Sequence, residues 1–295
     1  MSWLVWILAS AAVLAVYDLL KKESVRGNAV LPVLIISTAA GATAYVTALA
    51  AFGQLRGAFA ACDATVTWLS AVKTVIVGTS WILTFLALRS LPITLATPIR
   101  ASAPALVILI AFFLYGEHPS PLQWCGMALV FVGFFAFSWA GKAEGVDFLR
   151  NRAVYCAVGG MLLSACSALF DKYVFQIAAA PKEPVQLLFQ IFNFVFYVTV
   201  WSVGRIFRSP SDTPFVWRKT IPFVGVTLAF ADWLYFRALS DPACLISVGS
   251  LLRRFSVAIT FFIGAFIFHE HNLRRKTFAL ALVLAGTLIL CLKGF

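Results

Sequence analysis

Charged residues recur at one fixed distance inside stretches of otherwise apolar sequence. Arg100 and Arg253 lie 153 positions apart. The same offset relates Asp18 to Asp171, Glu117-His118 to Glu270-His271, and Ala128-Leu129-Val130-x-x-Gly133 to Ala281-Leu282-Val283-x-x-Gly286. A chain that repeats its charges in this way reads as two copies of one unit. An ionisable group at membrane depth is costly, so it faces a cavity, a partner or water.

The background to those charges fixes the class. Of the 295 residues, 62% are hydrophobic and 12% charged, against roughly 25% charged in a typical globular domain. Several stretches exceed the ~18 apolar residues that mark a membrane-spanning helix. The expectation is an all-α integral membrane protein. Residues 1–20 lack a basic leader and a small-residue cleavage site, so they read as a retained first helix. The six cysteines are scattered with no Cys-x-x-Cys pair and read as small buried apolar residues.

Breaks in hydropathy predict ten transmembrane helices near 3–20, 29–52, 68–88, 92–115, 122–140, 153–173, 185–206, 219–239, 243–268 and 276–293. The segment 54–67 is too polar to span and reads as interfacial. Residues 1–140 form one five-helix repeat, 141–152 a connecting loop, and 153–295 the second repeat. Five is odd, so the halves enter the membrane from opposite sides and form an inverted repeat, with a site near the midplane where they meet. Fourteen Lys and Arg flank the odd-numbered connections and four the even-numbered ones, which places both termini outside. The net charge of +11 follows from that loop bias and from the arginines within the spans. No basic stripe with interleaved aromatics is present, so no nucleic-acid partner is expected.

Two features carry a family resemblance: the helix ends Gly116-Glu117 and His269-Glu270, and the Ala-Leu-Val-x-x-Gly stretch that follows each. With the two five-helix repeats, they make the chain resemble the EamA-type branch of the drug/metabolite transporter superfamily along essentially its whole length. The resemblance implies a ten-helix basket in which helices 1–4 and 6–9 surround a cavity and helices 5 and 10 support it. It also implies transport of a metabolite such as an amino acid, sugar, nucleotide conjugate, organic anion or drug. Family members commonly keep their termini in the cytoplasm, so the loop charges here depart from that habit and leave orientation open.

The charges within the spans supply the site hypothesis. Arg100 on helix 4, Arg253 and Arg254 on helix 9 and Lys73 on helix 3 are deep cations, whereas only Asp232 on helix 8 is a deep carboxylate. That count leaves about three positive charges for a bound anion, which guanidinium groups recognise bidentately. Arg100, Arg253, Arg254, Lys73 and Asp232 are therefore the expected substrate-binding residues, with Trp81 and Trp233 as walls. The competing reading is an ion-pair lattice that holds the helices in register. Pro92, Pro98 and Pro104 break up helix 4 around Arg100, as suits a cavity-lining helix. Glu117, Glu270, Asp18 and Asp171 sit near helix ends, where capping or pairing competes with a gating or coupling role. The His-Glu-His run at 269–271 lacks the spacing of a zinc site, so neither metal nor cofactor is expected.

No phosphate-binding glycine loop is present, which excludes ATP-driven transport, and no nucleophile–base arrangement is visible. The reading is a secondary active transporter or exchanger of a small organic anion or zwitterion, working by alternating access. It is not read as an enzyme. The alternative is a membrane-embedded enzyme or carrier acting on a lipid-linked phosphate substrate. A multi-pass protein of the bacterial inner membrane, surrounded by lipids, is expected in either case, and monomer and homodimer both stay open.

Overall fold

The computed structural model describes residues 3–103, 105–106, 109–110, 113, 120–142, 150–206, 213–239, 253, 255–270 and 273–291. These residues form helices and no strand. In chain order they are α1 (Trp3–Val25), α2 (Val30–Ala51), α3 (Leu55–Ala60), α4 (Ala64–Ser90), α5 (Ile93–Ala101) and α6 (Pro121–Lys142). The order continues with α7 (Arg152–Lys172), a π-helical turn (Tyr173–Ile177), α8 (Lys182–Ile206), α9 (Thr220–Leu239), α10 (Phe255–Ile267) and α11 (Leu273–Cys291). The chain α1, α2, α4, α7 and α8 supplies five helices long and apolar enough to cross a membrane. Shorter apolar runs lie in α6, α9 and α10. The protein is thus a multi-pass membrane protein.

Local sequence sets the helix ends. Asp63 accepts from Val66 N at 2.6 Å to start α4, and Asn151 accepts from Ala153 N at 2.9 Å to start α7. Before α6, Gln123 Oε1 accepts from Ser120 N at 2.8 Å and Ser120 Oγ accepts from Gln123 N at 3.3 Å. That reciprocal pair, with Pro121 as first helical residue, satisfies donors the first turn cannot use itself. The polar segment 54–67 holds only the six-residue α3 before Asp63.

Two sequence expectations need correction. Helix α1 does not end at residue 20 but runs through Lys21-Lys22-Glu23 to Val25. Both lysines are buried and bonded inward: Lys21 to Asp18 at 3.0 Å, and Lys22 to the carbonyls of Leu88 at 2.6 Å and Leu91 at 2.5 Å. The pair looks like a loop in hydropathy but is helix because each ammonium group has a fixed partner. The cysteines are also not all buried as expected: Cys62, Cys125, Cys156 and Cys166 are free thiols, and Cys125 and Cys166 are exposed. A thiol on an outer helix face meets lipid rather than water, so burial is not required there.

Packing follows a pattern. Helix α1 packs on α9 and α7 on α4, while α2 packs on α9 and α8 on α4. Helices α2 and α8 meet each other, as do α5 and α10, and α6 packs along α11. At the α6–α11 crossing the contacts are reciprocal. A Cβ on Gly133 would lie 2.7 Å from Val283, and one on Gly286 would lie 2.7 Å from Val130. Those four residues are two pairs at the same 153-residue offset.

One end of the bundle is laced by polar contacts. The Asn28 amide donates to Val216 O at 2.7 Å and accepts from Val216 N at 2.8 Å. Arg218 binds Glu23, Arg89 donates to Thr213 at 3.0 Å, and Lys22 holds the α4–α5 turn. These bonds join the connections after α1, α4 and α8.

Candidate functional site

Asp18 and Arg100 each lie seven residues from the same end of the bundle, Asp18 from Val25 and Arg100 from Ile93. At ~1.5 Å per residue both sit about 10 Å inside, and equal depth lets them meet. Arg100 Nη2 donates to Asp18 Oδ2, and Lys21 Nζ approaches Asp18 Oδ1 at 3.0 Å. The Asp18 side chain is 1% exposed and Lys21 2%, whereas Arg100 is 28% exposed. Lys21 also lies over the Tyr17 ring at 4.6 Å. One carboxylate thus serves two cations, and the triad keeps one net positive charge.

The other cations have carboxylates too. Lys73 Nζ is 2.7 Å from Asp171 Oδ1, an ion pair that lacks hydrogen-bond alignment at that oxygen. Arg253 Nη2 donates to Asp232 Oδ1 at 2.5 Å and stands over the Tyr235 ring at 4.4 Å. The expected shortage of deep carboxylates is therefore corrected. Asp18 is not a helix-end residue, because α1 extends to Val25 and carries it inside. Asp171 is reached by the long lysine arm from α4. What remains for a ligand is donor capacity: Arg253 Nε is buried without a partner, and Arg100 spends one nitrogen on Asp18.

Between α1, α2, α4, α8 and α9 lies a cavity of about 10 Å³, room for about one water. Tyr17, Ser37, Thr38, Trp81 and Gln190 line it. Tyr17 precedes Asp18 in α1, lies under Lys21 and lines the cavity, so the cavity is reached from the triad's own helix. Trp81 meets Phe189 edge to face at 6.4 Å, and Lys73 lies over the same Phe189 ring at 5.0 Å. Trp233 does not line the cavity. It packs on Trp6 at 6.2 Å and stacks on Phe230 at 5.9 Å, toward the opposite end of α1 from Asp18.

Ser70 Oγ and Thr74 Oγ1 on α4 and Asn193 Oδ1 on α8 are buried without hydrogen-bond partners. Buried polar atoms are almost always bonded, so each of these atoms is a position for water or a ligand to bond. Sequence reasoning missed these residues, Gln190 and Lys21. The signal was available: Ser70, Lys73 and Thr74 share one helical face, as do Gln190 and Asn193.

Glu270 has a defined structural place. Its carboxylate accepts from Ile93 N at 2.7 Å and Thr94 N at 3.2 Å, binds the Thr94 hydroxyl, and lies 3.6 Å from buried Lys276. It caps α5 from 177 positions away. Glu270→Gln removes the charge from that helix start and is expected to cost about 1–2 kcal/mol, read as a lowered melting temperature of the purified protein. Arg254 and Glu117, which the sequence reading grouped with these residues, lie outside the described residues, as do His118, His271 and Pro104.

No group of three or more His, Cys, Asp or Glu able to hold a metal occurs among the described residues. Comparison with curated proteins gave no match. A solved crystal structure, titled only as that of a protein, aligns with 98% of this chain and 97% of its own at a TM-score of 0.63 and 16% identity. That likeness shows a shared fold. Residues 1–139 match the model of the EamA-like transporter family, whose members are transporters of small molecules and not enzymes. The first 139 residues are thus similar to the EamA-like transporter family, a family of membrane transporters of small molecules, and the long apolar helices make the chain a multi-pass membrane protein.

Proposed function

We propose that this protein is a secondary carrier or exchanger of a small organic anion or zwitterion, working by alternating access in a bacterial inner membrane. The observation that carries the reading is the Lys21–Asp18–Arg100 triad. It holds one excess positive charge on a guanidinium that is 28% exposed although it sits well inside the bundle. A purely structural lattice favours neutral pairs with every donor bonded, whereas this arrangement retains charge and donors. Arg253, paired with Asp232 and with its Nε unbonded, supplies the second contact, and Asp232 receives the ammonium of a zwitterion.

The architecture behind this reading is two inverted five-helix repeats, residues 1–140 and 153–295, giving ten spans. The packing supports it. Exchanging the halves maps α1 on α9 to α7 on α4, maps α2 on α9 to α8 on α4, and leaves α2–α8, α5–α10 and α6–α11 in place. The reciprocal Gly133–Val283 and Gly286–Val130 contacts are what a two-fold axis through the α6–α11 crossing requires. The ~10 Å³ cavity is too small for an organic substrate, so on this reading loading requires the halves to rock apart.

Proteoliposome counterflow with carboxylates, phosphate esters and amino acids tests this. Arg253→Gln is expected to lower uptake of the responding substrate at least tenfold, since a charge-assisted contact contributes about 1.5–3 kcal/mol. Arg253→Lys should restore part of it, keeping charge without the planar fork. Asp232→Asn should spare anions and impair zwitterions. Unchanged counterflow in folded Arg253→Gln would remove the arginine from the site.

A further inference from the structure

The α6–α11 pair carries a second feature that transport does not use. A groove of about 650 Å³ runs between the two helices on their outer side. Phe135, Trp139 and Phe278 line it, together with Val132, Leu282, Arg274 and Arg275. The three aromatics are 66%, 76% and 64% exposed. Both arginines are exposed, and neither has an ion-pair partner among the described residues.

We propose that this groove is a binding site for one anionic phospholipid, its phosphate held by Arg274 and Arg275 and its acyl chains lying on Phe135, Trp139 and Phe278. Three observations carry this. The first is length. Along α6 the groove runs from Ala140 to Val132 and along α11 from Arg274 to Leu282. At ~1.5 Å per residue that is about 12 Å, close to the ~15 Å hydrocarbon depth of one leaflet. The second is charge placement, with both guanidinium groups at the first turn of α11, on the side of the other basic connections. The positive-inside reading of the loop charges, on which this step rests, puts that side at the anionic cytoplasmic leaflet.

The third observation is an internal control. At the 153-residue offset, Arg274 and Arg275 correspond to Pro121 and Leu122, Phe278 to Cys125, and Phe135 to Leu288. The related position in the opposite leaflet therefore lacks both cations and both of these rings. The glycine contacts at the crossing keep the repeat's pattern while the groove departs from it. Packing alone would not favour two arginines and three aromatics at only one end. A second copy of this chain is the other candidate occupant. It would have to bring its own anions to unpaired Arg274 and Arg275, in a chain with 23 basic and 12 acidic residues.

The test uses the full-length protein in nanodiscs and detergent. Native mass spectrometry should show one retained phosphatidylglycerol, with affinity roughly thirtyfold above phosphatidylcholine. The double variant Arg274→Gln/Arg275→Gln should lose that preference while keeping wild-type helicity and counterflow. Phe135→Ala/Phe278→Ala should weaken both lipids alike. Equal binding of the two lipids, or an unchanged preference in the arginine variant, would overturn the proposal. So would full competition by inorganic phosphate, which would indicate an anion site without a lipid. A dimer that dissociates on Phe135→Ala/Phe278→Ala would assign the groove to a second copy.

Discussion

Asp18→Asn is expected to produce one of the two largest losses of any single substitution in this protein, lowering stability by about 3–5 kcal/mol and abolishing transport. The carboxylate is 1% exposed and lies between Lys21 and Arg100, so neutralising it leaves buried Lys21 and half-buried Arg100 facing each other with no charge between them. The melting temperature of the purified protein should fall on the order of 10 °C. A second variant separates charge from packing. Asp18→Asn/Arg100→Gln removes one of the two stranded cations and should melt above Asp18→Asn alone, though it still should not transport. If the single variant melts like wild type, or the double variant lower than the single, the triad is not the balance of charges described here.

The second large effect is expected at Gly225. Helices α2 and α9 cross so closely that a Cβ on Gly225 would lie 1.8 Å from Ser37 O and 2.7 Å from Gly41 N. Both obstructions are backbone, so no side chain can swing away. Gly225→Ala must push the helices apart by more than ~1 Å, since carbon contacts settle near ~3.5 Å. The expected cost is at or above the ~3 kcal/mol upper end of ordinary overpacking. Gly41→Ala is the control, because its Cβ would meet Gly225 O at 3.1 Å, a contact a small shift relieves. Size-exclusion profiles and melting of the two variants should rank Gly225→Ala far below Gly41→Ala. Equal behaviour would mean the crossing is looser than described. Both glycines border the central cavity, so the milder variant should also alter transport.

The helices were legible in the sequence because lipid exposure imposes long apolar runs, and the described boundaries of α2, α4, α6, α7, α8 and α9 fall within a few residues of the hydropathy breaks. The depth of Arg100 was legible for the same reason. Its partner was not. Whether Asp18 reaches Arg100 depends on α1 continuing past two lysines, and that depends on Leu88 and Leu91 offering carbonyls 66 and 69 positions away. Hydropathy reads Lys21-Lys22 as a break because it scores a residue without its neighbours. The capping of α5 by Glu270 is equally non-local. The aromatic walls divided for a similar reason: Trp81 and Trp233 are similar in sequence context, yet α4 turns one toward the cavity, and α9 turns the other onto Trp6. The polar face of α4 was in plain view, and only attention to large charges passed over Ser70 and Thr74.

The Glu270 bond to α5 means that the position of Arg100 is not the property of the stretch of chain that contains it. Helix α5 is nine residues long, begins after a proline and has a second proline inside, so little of its own hydrogen bonding holds it steady. Its anchor is a carboxylate encoded near the other end of the chain, backed by Lys276 bound to Thr94 at 2.8 Å. Any tilt of the α10–α11 corner is transmitted through that anchor to α5 as through a connecting rod, and Arg100 travels with it. A polypeptide ending before residue 150 would carry the arginine but not the means of aiming it. The two stretches are therefore inseparable as working parts, however alike they are in sequence.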